Sequence, residues 1–363
     1  MPLNPRDAFR EESARTAYYL RREGWAWASI AQTCGFSGES TARAAAARFA
    51  RRNSLPPLTT PNANRSAAAA IAAAARWGTS PLIADFSNWT VGVEIEWKGI
   101  SRQTAARVIG EALGYHVHVY GYHAAESGRG CQLCGSDDSV VEGREYKKWK
   151  IEEDASVSAA RGRGNPRGFG GEAISPILTV DTLHEIALVT SALTRAGAKV
   201  DVDCGLHVHI GVKHLNMGQR GRIVRRWQKN QAALRDFVAR SRWNSGYCSP
   251  LSEQTADTYA KALETGGSTS GFHKMYALNV KPFSKIGTFE VRLHQGTLHG
   301  TKIIEWVYFL LGFFNWAAND NEEFATYVGT ALVDKLEEKK VLRAKNGEYM
   351  KKRAATLLAN SIN

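Results

Sequence analysis

The stretch that decides the fold covers residues 92–97 and reads Gly-Val-Glu-Ile-Glu-Trp. Apolar and acidic residues alternate along it. Successive side chains of a β-strand point to opposite faces, so the stretch predicts a strand with one apolar face and one acidic face. The acidic face carries Glu94 and Glu96.

Two later stretches repeat this alternation. Residues 204–210 read Cys-Gly-Leu-His-Val-His-Ile, and residues 287–294 read Gly-Thr-Phe-Glu-Val-Arg-Leu-His. Their apolar residues predict faces that pack on the core. Their predicted polar faces carry His207, His209, Glu290, Arg292 and His294. If the three strands are neighbours in one sheet, these polar groups converge on one surface.

The residue types on that surface indicate chemistry with metal ions and phosphate. Clustered carboxylates repel one another and are costly to bury unless a cation lies between them. Oxygen ligands with one or two imidazoles suit Mg²⁺ or Mn²⁺, and Arg292 suits bidentate binding of phosphate. Together they favour phosphoryl transfer, although the chain has no Walker A motif. For any single strand, a solvated polar face is the simpler interpretation.

The composition is that of a globular protein. The 363 residues include 47 Lys and Arg against 35 Asp and Glu, a net charge of +12, and 44% are hydrophobic. This composition excludes wholesale disorder and collagen-like or coiled-coil architectures, and the mild excess of positive charge favours anionic partners. The longest apolar stretch, residues 306–316, is shorter than the roughly 20 residues that a membrane helix needs. Since the first thirty residues contain no apolar signal segment, we expect a cytoplasmic protein with reduced cysteines.

Residue types change along the chain in a way that predicts a separate N-terminal module. A basic helix from Ser40 to Arg52 follows a turn that contains Gly38, which is the outline of a helix-turn-helix. This helix suits contact with DNA or with a protein partner, whereas the solvated face of a small helical bundle is the plainer interpretation. The predicted segments are a helical module at 1–55, a linker with an Ala-rich helix at 56–87, a domain of strands and helices at 88–325, and a charged helical segment at 326–363.

The domain at 88–325 is predicted to be α+β, with three long helices among its strands. These helices cover residues 182–196, about 219–241 and about 301–318. The first is predicted to begin with a capping box formed by Thr182 and Glu185 and to end at Gly197.

Two weaker signals lie between the first two strands. Cys131 and Cys134 form a single Cys-x-x-Cys pair downstream of three histidines, so either a zinc site or an ordinary reduced loop explains them, and the loop is the favoured interpretation. The basic, glycine-rich residues 161–171 predict either a phosphate-contacting loop or a flexible surface loop.

Five short motifs occur along the chain in a characteristic order. They are Gly-Val-Glu-Ile-Glu at 92–96, Trp-Lys-Ile-Glu-Glu-Asp-Ala-Ser at 149–156, Gly-Glu-Ala-Ile-Ser-Pro at 171–176, Cys-Gly-Leu-His-Val-His at 204–209, and Gly-Thr-Phe-Glu-Val-Arg at 287–292 with Gln-Gly-Thr at 295–297. With these motifs the chain resembles the amidoligase family over roughly residues 88–320. That family belongs to the carboxylate–amine ligases of the glutamine synthetase and glutamate–cysteine ligase fold.

The resemblance implies a curved, mostly antiparallel sheet of the glutamine synthetase type with flanking helices. Its concave face is expected to hold ATP and two or three Mg²⁺ or Mn²⁺ ions. The residues that match the family's metal ligands are Glu94, Glu96, Glu172, His207 and Glu290.

Other matches imply contacts with phosphate and substrate. His209 and Arg292 match residues beside the transferred phosphate, and Asp154 matches a characteristic acid that serves either the substrate amine or a metal. Asn279 and Gln295, which flank the Glu290 strand, are candidates for contact with the nucleotide.

The implied activity is an ATP-dependent ligation in which a carboxylate becomes an acyl phosphate and an amine then displaces phosphate to form an amide. Asp154 is the candidate base for the amine proton. The sequence does not identify the acid or the amine, which are expected to be an amino acid, a peptide or a protein. Two alternatives remain: a metal-dependent kinase on the same sheet, and a DNA-binding protein whose sheet is not catalytic.

Overall fold

The computed structural model describes most of the chain outside the N-terminal module and the linker. The described residues are 36–53, 86–120, 131, 140–141, 145–154, 157, 169–243, 245–322 and 324–360, with single positions between 13 and 34. The predicted linker and Ala-rich helix lie outside the described residues, as do Cys134 and most of the glycine-rich loop.

The centre of the fold is an open, mostly antiparallel sheet of seven strands with the order β2-β5-β6-β1-β7-β9-β8. Among the described strands of this sheet, β2 and β5 are the one pair that runs parallel. The strands are β1 (Val91–Lys98), β2 (His118–Val119), β5 (Lys150–Glu152), β6 (Gly170–Ile174), β7 (Gly205–Gly211), β8 (Leu278–Asn279) and β9 (Thr288–Gln295), and a separate two-stranded sheet contains β3 (Val140–Val141) and β4 (Glu145–Tyr146). The α+β class is thus confirmed.

The three alternating stretches form β1, β7 and β9, and each observed strand ends within one residue of its predicted limits. The three strands are also direct neighbours in the sheet. The condition for their polar groups to meet on one surface is therefore fulfilled.

The described helices are α1 (Glu39–Arg52), α2 (Arg102–Leu113), α3 (His184–Arg195), α4 (Met217–Arg235), α5 (Glu253–Glu264), α6 (Phe283–Ile286), α7 (Gly300–Asn319), α8 (Ala331–Glu338) and α9 (Ala344–Ala359).

Helices cover the apolar face of the sheet. Helix α7 is buried along nearly its whole length. Its Phe314 contacts Phe289 of β9, and the apolar residues of β1, β7 and β9 belong to the same core. None of the described helices combines the length and apolarity needed to span a membrane.

Two helix predictions were wrong at one end. Helix α4 ends at Arg235 instead of 241, since the indole Nε1 of Trp243 donates to the carbonyl of Arg235 at 3.0 Å and ends the helix there. Helix α3 begins at His184, and Leu183 makes no capping bond with its side chain.

The capping box predicted for α3 fails because both of its side chains have other partners. The hydroxyl of Thr182 accepts from the backbone N–H of Thr179 at 2.9 Å. The carboxylate of Glu185 accepts from Nε1 of Trp149 at 2.8 Å. The predicted end near Gly197 agrees with the structure, where this glycine has a φ of +92°.

The predicted place of His294 on the polar face was also wrong. The register between β7 and β9 shifts, so that Leu206 pairs with His294 but Val208 pairs with Val291. The extra residue in β9 is a β-bulge, which reverses the alternation beyond it. His294 is fully buried and its ring lies against Trp306 of α7, on the apolar face.

The described part of the N-terminal module contains helix α1 and a core of its own. Alanines and Phe49 of α1 pack with Tyr18, Trp27 and Ile30. The opposite side of α1 exposes Arg43, Arg48, Arg51 and Arg52. The helix-turn-helix and its contact with DNA or a protein stay predictions.

Candidate active site

Pairing between strands brings the predicted functional residues together on the face opposite α7. Glu94 of β1 pairs with His207 of β7, and Glu96 pairs with Glu172 of β6. On the other side of β7, His209 pairs with Glu290 of β9. Directly paired residues point to the same face, so these side chains line a single surface.

The first cluster consists of Glu94, His207 and Glu290, with one ligand atom from each within 4.8 Å of the others. Nδ1 of His207 lies 2.9 Å from Oε2 of Glu94 and 3.5 Å from Oε1 of Glu290. His207 and Glu290 are buried, which holds their side chains in place.

The second cluster consists of Glu96, Asp154 and Glu172, again with one oxygen from each within 4.8 Å of the others. Glu96 is buried, and its Oε2 accepts from the backbone N–H of Gly205 at 2.6 Å. Oε1 of Glu96 lies 3.6 Å from Nε2 of His207, so the two clusters adjoin.

Electrostatics distinguish the two clusters. Burial alone would raise the pKa of Glu94, but hydrogen bonds and charge from His207 and His209 outweigh it and hold this pKa well below its ordinary value. In the second cluster, burial raises the pKa of Glu172 well above its ordinary value, and the carboxylates of Glu94 and Asp154 raise it further. Burial likewise raises the pKa of Glu96. Glu172 and Glu96 are thus harder to ionise than ordinary glutamates.

A divalent cation fits this set of donors. Carboxylate oxygens with one imidazole are the ligands that Mg²⁺ and Mn²⁺ accept. A cation would offset both the burial and the repulsion that raise the pKa of Glu172. The donor set does not resemble a structural zinc site, which is dominated by Cys and His.

His209 and Arg292 lie beside the first cluster. Nε2 of His209 lies 3.2 Å from Oε1 of Glu94, and its Nδ1 lies 2.9 Å from the hydroxyl of Thr288. Although burial by itself lowers the pKa of His209, the carboxylate of Glu94 raises it above the ordinary value. Arg292 forms an ion pair with Glu290, and its Nε donates to the carbonyl of Tyr247 at 3.2 Å.

The two candidates for nucleotide contact already have partners in the protein. Asn279 is buried, and its Nδ2 donates to Oε2 of Glu290 at 2.7 Å. The side-chain oxygen of Gln295 accepts from the backbone N–H of Ala239 at 3.1 Å. Asn279 thus orients an acid of the first cluster, whereas the side-chain oxygen of Gln295 is bonded to the loop after α4.

Sequence reasoning missed two residues that support the site. Thr288 precedes Glu290 by two positions, so the same alternation that revealed Glu290 and Arg292 also indicates Thr288. Gly205 was predicted only as part of a strand, and its contact with the side chains of the site was missed. A Cβ atom at Gly205 would lie 3.0 Å from Nε2 of His207 and 3.4 Å from Oε1 of Glu96, so a larger residue here would crowd the two side chains through which the clusters adjoin.

Comparison with protein families agrees with this arrangement. The family model described as "Putative amidoligase enzyme" matches residues 87–314, which span the strands of the site from β1 to β9. The chain belongs to this amidoligase family, and the family's name is that of a ligase-type enzyme. The comparison with curated proteins returned no match.

Proposed function

We propose that the chain is an ATP-dependent carboxylate–amine ligase that forms an amide through an acyl phosphate, on a sheet of the glutamine synthetase type. One observation carries the proposal: two adjoining carboxylate clusters on one face of the sheet, flanked by His209 and Arg292. Membership in the amidoligase family supports the ligase reaction.

The protein residues in the two clusters would hold Mg²⁺ or Mn²⁺. Glu94, His207 and Glu290 form one set of ligands, and Glu96 and Glu172 form the other. When bound, these ions supply the positive charge that offsets the phosphates of ATP and the charge that develops during phosphoryl transfer.

The remaining residues orient the reacting groups. Arg292 carries two nitrogens that suit a phosphate oxygen pair, and its Nε bond to Tyr247 holds the guanidinium in place. Nε2 of His209 faces the same region because Thr288 holds the opposite ring nitrogen. Asp154, beside Glu96 and Glu172, is our candidate for accepting the proton of the attacking amine.

The test uses hydroxylamine as a general amine. Purified protein is incubated with Mg²⁺, ATP, hydroxylamine and a panel of amino acids and peptides. We expect ADP and a hydroxamate, and we expect ADP formation to require an acid. No hydroxamate and no acid-dependent ADP across the panel would contradict the proposal.

The same experiment separates the ligase from the kinase alternative by the mass of the product. A ligase releases inorganic phosphate and a hydroxamate. A kinase releases a stable phosphorylated product whether or not hydroxylamine is present.

A further inference from the structure

A third group of metal-ligating side chains lies away from the carboxylate clusters. It consists of His116, His118 and Cys131, with one ligand atom from each within 4.8 Å of the others. His118 belongs to β2, an edge strand of the sheet, whereas the carboxylate clusters lie mainly on β6, β1, β7 and β9.

We propose that His116, His118 and Cys131 bind a structural Zn²⁺ ion. Two imidazoles and a thiol are soft to borderline ligands, which favour Zn²⁺ over the Mg²⁺ or Mn²⁺ expected at the carboxylates. This proposal does not depend on the ligase activity.

Local structure brings the three side chains together. His116 and His118 lie on either side of Val117, which is buried in the core. Their rings meet edge to face with centroids 4.8 Å apart. Cys131 returns to the same strand, and its Sγ accepts from the backbone N–H of Val119 at 3.3 Å.

That N–H to sulfur bond fixes the position of Sγ beside the two imidazoles. Burial adds to the case, since Cys131 is 3% exposed and His118 is 1% exposed. A buried site with preformed ligands binds a metal at a low cost in conformational entropy.

The spacing is close to that of a tetrahedral zinc site. Zn–N distances of about 2.0–2.1 Å and Zn–S distances of about 2.3 Å put neighbouring ligand atoms about 3.3–3.7 Å apart. The three ligand atoms lie within 4.8 Å of one another, which is compatible with this spacing.

The ion has a clear structural role. It joins the edge strand β2 to Cys131, which lies thirteen positions after His118 in the chain. Strand β2 pairs with β5, and β5 pairs with β6, which carries Glu172. Zinc at this edge thus stabilises the side of the sheet that supports the second carboxylate cluster.

The test uses Co²⁺ as a spectroscopic probe for zinc in the full-length protein. The protein is stripped of metal with a chelator and titrated with Co²⁺ in excess Mg²⁺, which competes at the carboxylates. We expect a thiolate-to-cobalt charge-transfer band in the near ultraviolet that saturates at one equivalent and disappears when Zn²⁺ is added. Zn²⁺ should also raise the thermal midpoint of the stripped protein.

Matched variants assign the ligands. Cys131→Ser should abolish the band, while Cys248→Ser, which changes another buried cysteine, should keep it. His116 is exposed, so His116→Ala should fold normally and weaken Zn²⁺ binding at least about tenfold. The control is His184→Ala, at a half-buried histidine on α3, which should leave Zn²⁺ binding unchanged. Glu94→Gln should keep the band, which separates this site from the carboxylate clusters.

Two results would overturn the proposal. One is a wild-type titration without a charge-transfer band. The other is a band that persists in the Cys131→Ser protein, or a His116→Ala protein that binds Co²⁺ and Zn²⁺ as tightly as the wild type.

Discussion

His207 and Glu94 face each other across β7 and β1, and Nδ1 of His207 lies 2.9 Å from Oε2 of Glu94. The imidazole also approaches Glu290 and Glu96, at 3.5 and 3.6 Å. One histidine therefore touches carboxylates of both clusters, which makes the two clusters a single continuous site.

The first prediction concerns charge at this site. Glu94→Gln keeps the shape of the side chain but removes the negative charge that a divalent cation needs. We expect hydroxamate formation to fall at least about 100-fold while the circular dichroism spectrum is retained. Glu290→Gln should have the same effect.

The control for this prediction is Glu253→Gln. Glu253 is exposed at the start of α5, where it pairs with Lys229, and this change should leave the rate within about twofold of wild type. A Glu94→Gln protein as active as the control would show that the carboxylate cluster is not the catalytic centre.

The second prediction concerns the positioning of His209. Thr288→Val removes the hydroxyl 2.9 Å from Nδ1 of His209 but keeps the volume of the side chain. We expect kcat to fall about tenfold to 100-fold, with a smaller change in KM for ATP and a shifted pH profile. The pH profile is measured for both proteins, because a merely structural role would not move it.

Thr288→Ser is the matched control, since it restores the hydroxyl. It should recover most of kcat. Equal defects in Thr288→Val and Thr288→Ser would mean that the methyl group matters and the hydrogen bond does not.

The third prediction follows from the burial of His294. Burial lowers the pKa of His294 well below its ordinary value, and the charge of Lys302 lowers it further. As the pH falls below about 6.5, His294 binds a proton in the unfolded chain but stays neutral in the folded protein. This difference lowers the free energy of unfolding by up to about 1.4 kcal/mol per pH unit.

His294→Leu removes this proton uptake. The free energy of unfolding in urea, measured between pH 7.5 and pH 5, should fall less steeply in the variant than in the wild type. Parallel slopes in the two proteins would show that His294 titrates normally in the folded state.

The fourth prediction tests the close contact after β9. A Cβ atom at Gly296 would lie 2.5 Å from Cβ of Cys204 and 2.9 Å from its carbonyl oxygen. The N–H of Gly296 also donates to that carbonyl at 2.7 Å, so the two segments cannot separate freely. Gly296→Ala should reduce the free energy of unfolding by about 3 kcal/mol or more.

Gly246→Ala provides the comparison, because nothing lies within 4 Å of a Cβ atom at that position. Its free energy of unfolding should change by less than about 1 kcal/mol. A similar loss in both variants would indicate a backbone effect common to glycines and no steric conflict at Gly296.

Sequence reasoning succeeded where a local pattern carries the information. The alternation in residues 92–97, 204–210 and 287–294 predicted three strands within one residue of their observed ends, because a strand with one buried face requires a period of two. The helix near 301–318 was predicted equally well, because most of its residues are apolar and are buried in the structure.

The errors came where a distant residue decides the local structure. Trp243 donates to the last residue of α4, where that helix ends. Trp149 donates to the carboxylate of Glu185, which therefore does not form the predicted capping box. Neither contact has a signature in the helix itself. The β-bulge that turns His294 into the core depends on the register with β7, which a single strand does not reveal.

The amino-acid sequence by itself determined three strands of the sheet, and their period-two alternation placed Glu94, Glu96, His207, His209 and Glu290 on the face that does not pack on the core. Only the tertiary structure decided how they are grouped. Strand order and register set Glu94 against His207 and Glu96 against Glu172, and the tertiary fold places Cys131 beside His116 and His118. These pairings join residues far apart in the chain, and their free energy depends on packing across the whole sheet, which no local pattern encodes.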